Sequence, residues 1–320
     1  MSVLVTGATG RLGQALVARL QAEGRDVRIL TRRLYRAIAV FGDSLPIHEW
    51  HPLSEEVPPA ATAGVSVIAH LMGEPLAGRP TADKIERIRA SRLTAIARLA
   101  AAFAGRQVRV VAASVPYLDG KAQADPIDES QPRGNATSAL ESMAQAYEAA
   151  LEAMAAQGPS VAIVRLGLIL APEGTLSVPV RLANWRLGLD LAGSLIPAID
   201  IEDAAALFGG LLDRSDLQGP VHGIAPEPLR GRDLMALLAV AADRAPRVRL
   251  PRRLAHRFVG ELSPFLLNRS HVVPARLMQA GAVFLHPDPK ASAARILASP
   301  AAPSARRLSM WPFARAPASS

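Results

Sequence analysis

Ser2-Val-Leu-Val-Thr-Gly-Ala-Thr-Gly-Arg-Leu-Gly13 is the stretch of sequence that decides the fold. Val3–Val5 is short, apolar and mainly β-branched, which is typical of a buried strand. Gly7, Gly10 and Gly13 follow with the spacing G-x-x-G-x-x-G, and Gln14–Gln21 then carries apolar residues at helical spacing. The pattern therefore predicts a strand that runs through a glycine turn into the start of a helix.

A strand, a glycine turn and a helix in this order predict an anion-binding site. The turn leaves backbone N–H groups and the positive end of the helix dipole directed at one point, which suits a pyrophosphate. A Cβ atom at the glycines would block the tight turn, the approach of the phosphates or the packing of helix on strand. We therefore predict dinucleotide binding. The alternative is a structural turn that holds no ligand.

The bulk composition is that of an ordinary α/β protein. The chain has 320 residues, half of them hydrophobic, which is enough for a sizeable core. No apolar run reaches the roughly 18 residues that a membrane span requires. The first residues already form the predicted strand, so we expect neither a signal peptide nor an integral membrane segment, and we expect a cytoplasmic protein. The chain has no cysteine, which excludes disulfides and thiolate catalysis.

The charge balance is basic, with a formal net charge of +8. Such a balance attracts nucleic acid, membrane surfaces or phosphorylated ligands. No nucleic-acid-binding motif accompanies the charge, and the aromatic residues are not interleaved with the basic ones. We therefore expect no nucleic-acid partner.

The end of the second predicted strand bears on the choice of cofactor. Asp26–Leu30 forms this strand, and Thr31, Arg32 and Arg33 follow it. An acidic residue at this position would bind the ribose 2′-hydroxyl of NAD, whereas arginine accommodates the 2′-phosphate of NADP. Thr31 and Arg32 therefore favour NADP. In the alternative interpretation these are ordinary surface arginines.

The rest of the chain alternates strands with helices, and residues 34–64 are predicted to be irregular. The predicted strands are Val65–Leu71, Val108–Ala112, Val161–Leu166 and Gly219–Ile224, and the predicted helices cover 81–104, 130–157, 178–189 and the segment that ends near Asp213. This order predicts an α/β fold with a Rossmann-like, doubly wound parallel sheet and a small helical C-terminal cap.

The domain prediction divides the chain into three parts. Residues 1–228 form an NAD(P)-binding Rossmann-like domain, residues 229–298 form a helical cap domain, and residues 299–320 form a disordered tail of Ala, Pro, Ser and Arg that could contact a protein partner. No metal site is expected, because Asp200, Glu202 and Asp203 are placed to cap the following helix rather than to bind a metal ion.

With these motifs in order, the chain resembles the YfcH-like epimerase family within the atypical and extended short-chain dehydrogenase/reductases. The matching stretches are LVTGATGRLG at 4–13, LTRR at 30–33, HLMGEPLAGR at 70–79, IRASRLTAIARL at 88–99, VRLGLILAPEG at 164–174, WRLGLDLAG at 185–193, GPVHGIAPEP at 219–228 and VVPARLMQAG at 272–281. The resemblance implies an NADP-binding Rossmann fold.

The resemblance also implies roles for individual residues. The phosphates would meet the loop Gly7–Gly13, which includes Thr9 and Gly10, with Arg11 and Leu12 at its tip. Thr31 and Arg32 would hold the 2′-phosphate, and Leu71 and Met72 would lie along the adenosine and ribose. Arg92 would reach the cofactor from the fourth helix.

The catalytic residues depart from the pattern of the wider superfamily, whose active members carry a Tyr-x-x-x-Lys pair on one helix and a serine near the end of the preceding strand. Ser114 fits the serine, but the expected helix around Tyr147 has no lysine. Tyr117 and Lys121 have the written spacing in a stretch with turn signals, so Tyr117 is a candidate from a loop. Two hypotheses remain: an NADP-dependent oxidoreductase or epimerase with an unknown small substrate, using Ser114 and Tyr117, and a non-catalytic dinucleotide-binding sensor, scaffold or assembly factor.

Overall fold

The computed structural model describes residues 1–76, 81–116, 125–131, 136, 138–172, 174, 176–243 and 245–298. Its strands are β1 (Ser2–Thr6), β2 (Asp26–Thr31), β3 (Ile47–Glu49), β4 (Val65–His70), β5 (Arg109–Ser114), β6 (Ser160–Leu166), β7 (Leu168–Leu170), β8 (Leu187–Leu189), β9 (Leu195–Ile196), β10 (Ala198–Asp200), β11 (Gly219–Gly223), β12 (Leu229–Arg230) and β13 (Val248–Leu250). Its helices are α1 (Arg11–Ala22), α2 (Leu34–Phe41), α3 (Pro59–Thr62), α4 (Ala82–Ala102), α5 (Ala139–Ala155), α6 (Ser177–Asn184), α7 (Ile201–Leu212), α8 (Gly231–Ala241), α9 (Arg252–Val259), α10 (Ser263–Leu267), α11 (Ala275–Gln279) and α12 (Pro289–Ala298), with a 3₁₀ turn at Gly260–Leu262.

Seven of these strands form one sheet in the order β11-β6-β5-β4-β1-β2-β3, and all its neighbours are parallel. The direction of winding reverses between β1 and β4, and a ligand binds such a sheet at the carboxyl ends of the strands beside that point. The sheet confirms the predicted doubly wound, Rossmann-like α/β fold.

Each central strand is apolar on both faces, because helices cover both sides of the sheet. Leu4 of β1 packs in the core with α4 and α5. Its neighbours Val3 and Val5 point to the opposite face and pack in the core with α1 and α7. The alternation follows from the two-residue period of a strand.

The helical C-terminal region packs against segments from earlier in the chain. A third apolar cluster joins Leu168, Leu182 and Ile196 to Leu234 and Leu262. Residues on both sides of position 228 therefore contribute to this cluster, and the division at 228 stays a prediction. The small sheets β7–β10, β8–β13 and β9–β12 connect the same segments.

Three predicted segments differ from the structure. Residues 34–64 contain α2, β3 and α3, which are short, and β3 is an edge strand whose residues are not fully buried. Elements this short do not contain enough residues for a helical or strand periodicity to be recognised in the sequence. The helix predicted over 130–157 begins at Ala139, where Ser138 and Glu141 form a capping box. The helix predicted over 178–189 ends at Asn184, and Arg186, with φ of 58°, turns the chain into β8.

Asp203, in the first turn of α7, binds the loop between α11 and α12 through hydrogen bonds. Its buried carboxylate accepts hydrogen bonds from the backbone N–H of Leu285 at 2.6 Å and of His286 at 2.9 Å. The prediction that Asp200 caps this helix is confirmed, since its carboxylate accepts from the Glu202 N–H at 3.0 Å. Within the described ranges, no helix is both long and apolar enough to cross a membrane.

Replacing Asp203 with asparagine should destabilise the fold. The amide has one acceptor oxygen, so one of the two N–H groups would face an NH₂ group, and a buried donor without an acceptor costs about 1–3 kcal/mol. We expect the denaturation midpoint of Asp203→Asn to fall correspondingly in a chemical unfolding experiment. Asp43→Asn, the same change at an exposed loop position, is the control and should change the free energy of unfolding by under roughly 0.5 kcal/mol. Equal stabilities of the two variants would contradict the assignment.

Candidate functional site

The glycine turn packs directly against the chain that leaves β4. Gly7 has φ of +72°, and a Cβ atom there would lie 2.7 Å from the carbonyl carbon of Leu71 and from the N of Met72. At Gly13, a Cβ would lie 2.4 Å from the Gly7 carbonyl oxygen. These positions require glycine because backbone atoms occupy the space that a side chain would need. The close contact fixes the turn beside the switch point of the sheet.

The amino end of α1 follows this turn without a side-chain cap. Gly10 is the N-cap residue, and it supplies no side-chain acceptor to the first-turn amides of Arg11, Leu12 and Gly13. The loop is held instead by the Gly10 N–H donating to the Gly7 carbonyl at 3.0 Å and by the Gln14 amide donating to the Thr9 carbonyl at 3.0 Å. A helix start of this kind, with glycine at the N-cap position, fits an anionic group such as a phosphate. We call the turn Gly7–Gly13 and this helix start the cradle.

A cavity of about 510 Å³ opens from this cradle along the carboxyl edge of the sheet. Its lining includes nine of the predicted site residues: Gly7, Gly10, Arg11, Leu12, Gly13, Leu71, Met72, Arg92 and Ser114. Leu262 and Phe265 of the C-terminal region also line it. The structure thus brings these nine residues to one place, although neither Thr9 nor the pair Thr31 and Arg32 lines this cavity.

Thr31 and Arg32 lie farther along the edge, at the end of β2. The buried Thr31 hydroxyl accepts a hydrogen bond from the Arg33 N–H at 3.2 Å. Arg32 is exposed and lines a second cavity of about 310 Å³, together with Glu74 and Arg87. A cationic side chain therefore lies just after the carboxyl end of β2, and the Glu74 carboxylate lines the same cavity.

Glu74, in the segment after β4, lies among basic side chains. Lys84 Nζ lies 3.0 Å from Glu74 Oε1, and Arg87 Nε lies 3.9 Å from the same oxygen. Partial burial raises the pKa of Glu74, but the hydrogen bond from Lys84 and the charges of Lys84, Arg32 and Arg87 outweigh it and hold the pKa below its usual value. The carboxylate is therefore ionised at neutral pH. In sequence it follows Gly73 and precedes Pro75, a pattern that is more typical of a turn residue than of a catalytic base.

Arg92 of α4 lines the large cavity and reaches the segment that follows β4. Its Nη1 donates to the carbonyl oxygens of Glu74 and Ile88, both at 3.2 Å. A Cβ at Gly73 would lie 2.6 Å from the guanidinium carbon, so the glycine makes room for this side chain. Burial lowers the pKa of Arg92, although the group stays charged at neutral pH.

Ser114, at the end of β5, is tied to a buried ion pair. Its hydroxyl donates to Glu148 Oε1 at 2.7 Å, and Arg165 of β6 donates to both carboxylate oxygens, with Nη2 2.9 Å from Oε2. Glu148 and Arg165 are both buried. The Ser114 proton is thus directed at the carboxylate, and the oxygen keeps lone pairs that can accept a hydrogen bond from a ligand.

Glu148 and Arg165 were not predicted as site residues, although the sequence carries a signal for Glu148. It lies four residues after Ala144 and three before Leu151, on the buried face of α5. A charged residue on an apolar stripe needs a buried partner. Tyr117 and Lys121 lie outside the described residues. On α5 the residues four positions before and after Tyr147 are Met143 and Leu151, so no Tyr–Lys pair is present on that helix.

Asp200, Glu202 and His286 bring their ligand atoms within 4.8 Å of one another. Arg295 already supplies positive charge there, with Nη2 2.6 Å from Asp200 Oδ2 and Nη1 3.8 Å from Glu202 Oε1. His286 Nε2 lies 3.1 Å from Glu202 Oε2. The arrangement is an ion-pair network that links α7 to α12.

Comparison with known proteins finds relatives that match most of the chain. An epimerase family protein of Mycobacterium bovis is 28% identical over 291 residues, covering 89% of this chain and 93% of that protein. The epimerase family protein SDR39U1 of Bos taurus is 27% identical over 308 residues, covering 93% of this chain and 100% of that protein. The crystal structure of human SDR39U1 isoform 2 with NADPH superposes with a TM-score of 0.74 at 22% identity, covering 93% of this chain and 99% of that chain.

The family model described as "NAD dependent epimerase/dehydratase family" matches residues 3–186, which is more than half of the chain. The match begins in β1, includes the glycine turn and the switch point, and extends beyond Ser114 and Glu148. The chain belongs to the NAD dependent epimerase/dehydratase family.

Proposed function

We propose that this protein binds NADP(H) and acts as an oxidoreductase or epimerase of the short-chain dehydrogenase superfamily on a small substrate, within its YfcH-like branch. The observation that carries the proposal is the cradle at the switch point. Side chains are sterically excluded at Gly7 and Gly13, and the N-cap residue of α1 is Gly10, which has no side chain to cap the helix. The match to an NAD dependent family and the NADPH in the human SDR39U1 crystal structure support it.

Individual residues have proposed roles toward the cofactor. The loop Gly7–Gly13, including Thr9, would hold the phosphates. Thr31 and Arg32, at the end of β2, would hold the 2′-phosphate. Leu71 and Met72 would lie along the adenosine and ribose. Arg92 would place positive charge beside the dinucleotide. When bound, a nicotinamide dinucleotide supplies hydride transfer.

The chemistry at the substrate is proposed for Ser114 and Tyr117. Because the Ser114 hydroxyl donates to Glu148, its oxygen is set to accept a hydrogen bond from a substrate hydroxyl. This favours binding of an alcohol, the reduced form of the substrate. Tyr117, in the segment after β5, is the proposed proton relay.

The alternative function is a non-catalytic dinucleotide-binding sensor, scaffold or assembly factor. Two observations favour it: α5 has no lysine beside Tyr147, and the Ser114 proton is directed at Glu148 rather than at the cavity. In this alternative, the basic segment 299–320 would dock a protein partner.

The two functions make opposite predictions for a turnover assay. If the protein is an oxidoreductase, a panel of small carbonyl compounds should contain a substrate that oxidises NADPH, followed by its absorbance at 340 nm. If it is an epimerase, which regenerates its dinucleotide in each cycle, a panel of sugar nucleotides should contain one that is converted into its epimer with no net change in that absorbance. If it is a binding module, no substrate turns over despite NADPH binding. Removal of residues 299–320 should then abolish partner capture and leave the NADPH affinity unchanged.

The cradle is tested by comparing two glycine-to-alanine variants, each at a glycine within a helix. Gly13→Ala in α1 would place a methyl group against the Gly7 carbonyl, and we expect it to weaken NADPH binding at least tenfold in calorimetry and to lower the melting temperature. Gly210→Ala in α7 has nothing within 4 Å of the added Cβ. This control should keep the affinity and gain about 0.5–1 kcal/mol of stability from helix propensity. Unchanged NADPH affinity in a folded Gly13→Ala protein would argue against the cradle.

The choice of NADP over NAD depends on Arg32. A hydrogen bond to a charged group contributes about 1.5–3 kcal/mol, so Arg32→Ala should weaken NADPH binding roughly tenfold to a hundredfold and change NADH binding little. Arg214→Ala removes the same charge after α7, at the amino edge of the sheet, and should alter neither affinity. Equal wild-type affinity for both dinucleotides would remove the NADP assignment.

A further inference from the structure

The stretch between Asp243 and Glu261, in the C-terminal region, contains six arginines and no acidic residue. It includes β13 and α9 and takes no part in the proposed cofactor site. Such a concentration of one charge favours an anionic partner, although a basic stretch can also be a simply solvated surface. The positions of the apolar side chains within the stretch distinguish these two possibilities.

Helix α9 is attached to the rest of the protein by one of its faces. Val259 is fully buried. The guanidinium of Arg252 donates from Nη1 to the carbonyl oxygen of Ala192 at 3.2 Å and from Nη2 to the carbonyl oxygen of Leu267. Because Arg252 and Val259 are seven residues apart, they lie on the same side of the helix. The opposite side of α9 is therefore the one that faces solvent.

This outer side of α9 presents a basic row beside an apolar row. Arg253 and Arg257 are four residues apart, as are Leu254 and Phe258, so the members of each pair lie one turn apart on the helix surface. Both arginines are exposed, and neither forms an ion pair with another residue in the described part of the chain. Leu254 is 43% exposed and Phe258 is 36% exposed. Large apolar side chains are thus held at the surface next to unpaired positive charges.

Strand β13 adds the same kinds of side chain close by. Arg247, Val248 and Arg249 are all exposed, and Val248 is 53% exposed. Val248 and Leu254 are six residues apart, so their Cα atoms lie within about 20 Å of each other. We call this surface the basic–apolar patch; it consists of Arg247, Val248, Arg249, Arg253, Leu254, Arg257 and Phe258.

The composition of the basic–apolar patch identifies the chemistry of its partner. A solvated face gains nothing from exposed leucine and phenylalanine, which lose free energy in water. Nucleic acid would be bound through its phosphates and by aromatic side chains that stack on bases, but Val248 and Leu254 cannot stack. An anionic lipid surface satisfies both kinds of side chain, since its headgroups attract arginines and its acyl region accepts apolar groups.

We propose that the basic–apolar patch docks this protein peripherally on an anionic lipid surface. Helix α9 lies in the plane of that surface, with Arg253 and Arg257 at the level of the headgroups and Leu254 and Phe258 inserted between them. The inference does not depend on the proposed function, because it uses none of the residues of the large cavity or of the cradle.

The test is co-sedimentation of the full-length protein with lipid vesicles. The wild type should bind vesicles made of equal parts of phosphatidylserine and phosphatidylcholine, should bind pure phosphatidylcholine vesicles far more weakly, and should be released by added salt. Each arginine near an anionic surface contributes roughly fivefold to the affinity, so Arg253→Gln/Arg257→Gln should weaken binding about 25-fold. Leu254→Ser/Phe258→Ser should weaken it at least tenfold, because the inserted apolar area is lost.

The matched control is Arg89→Gln/Arg214→Gln, which removes the same charge from exposed positions on α4 and after α7. It should bind the vesicles as the wild type does. An equal loss in this control would mean that net charge alone is responsible, and it would overturn the patch. The melting temperatures of the arginine variants should match that of the wild type, so these variants decide the question even if the Leu254→Ser/Phe258→Ser variant is unstable.

A single-stranded oligonucleotide provides the competing ligand. If the wild type binds it more tightly than the phosphatidylserine vesicles, and Leu254→Ser/Phe258→Ser leaves vesicle binding unchanged, the basic–apolar patch is a nucleic-acid surface and the proposal is wrong. Absence of vesicle binding by the wild type would also overturn it. A selective loss of vesicle binding in both patch variants would support docking on lipid.

Discussion

The site depends on one close approach, that of the glycine turn after β1 to the backbone that leaves β4. Gly7 and the Leu71–Met72 peptide are so near that a single carbon atom between them would overlap. Since β1 and β4 are the strands between which the winding reverses, this contact sets the width of the crevice. This contact therefore positions the start of α1, the cavity and Arg92 relative to one another.

The electrostatics of the edge differ from one end to the other. At the β2 end, Arg32, Lys84 and Arg87 surround one carboxylate, Glu74, in a partly exposed setting. Toward β4 and β5, Arg11 and Arg92 bring positive charge to the lining of the large cavity, and the charges of Glu148 and Arg165 neutralise each other in the buried region beside it. Basic side chains therefore line both cavities along this edge, which suits an anionic ligand.

The sequence was sufficient for the parts of the fold that have a long or rigid pattern. The turn Gly7–Gly13, the buried strands and the long helix α4 each carry a period or a spacing that has one structural interpretation. The edge strand β3 and the turn at Arg186 could not be predicted, because their conformations follow from tertiary packing rather than from local preference. Nine predicted site residues meet in one cavity because the carboxyl ends of parallel strands converge. Ser114, Glu148 and Arg165 are brought together only by the packing of α5 on β5 and β6, which no spacing in the sequence encodes.

The buried pair of Glu148 and Arg165 has a mechanical consequence for the cavity. It joins α5 to β6 through two parallel hydrogen bonds in a region without solvent. A slide of α5 along the sheet would separate the two charges inside the protein, where an isolated ion is very unfavourable. The wall that carries Tyr147 is therefore rigid. Adjustment to ligands of different size must come from other parts of the lining, such as Leu262 and Phe265, which contact the cavity through apolar surfaces that can shift without breaking an ion pair.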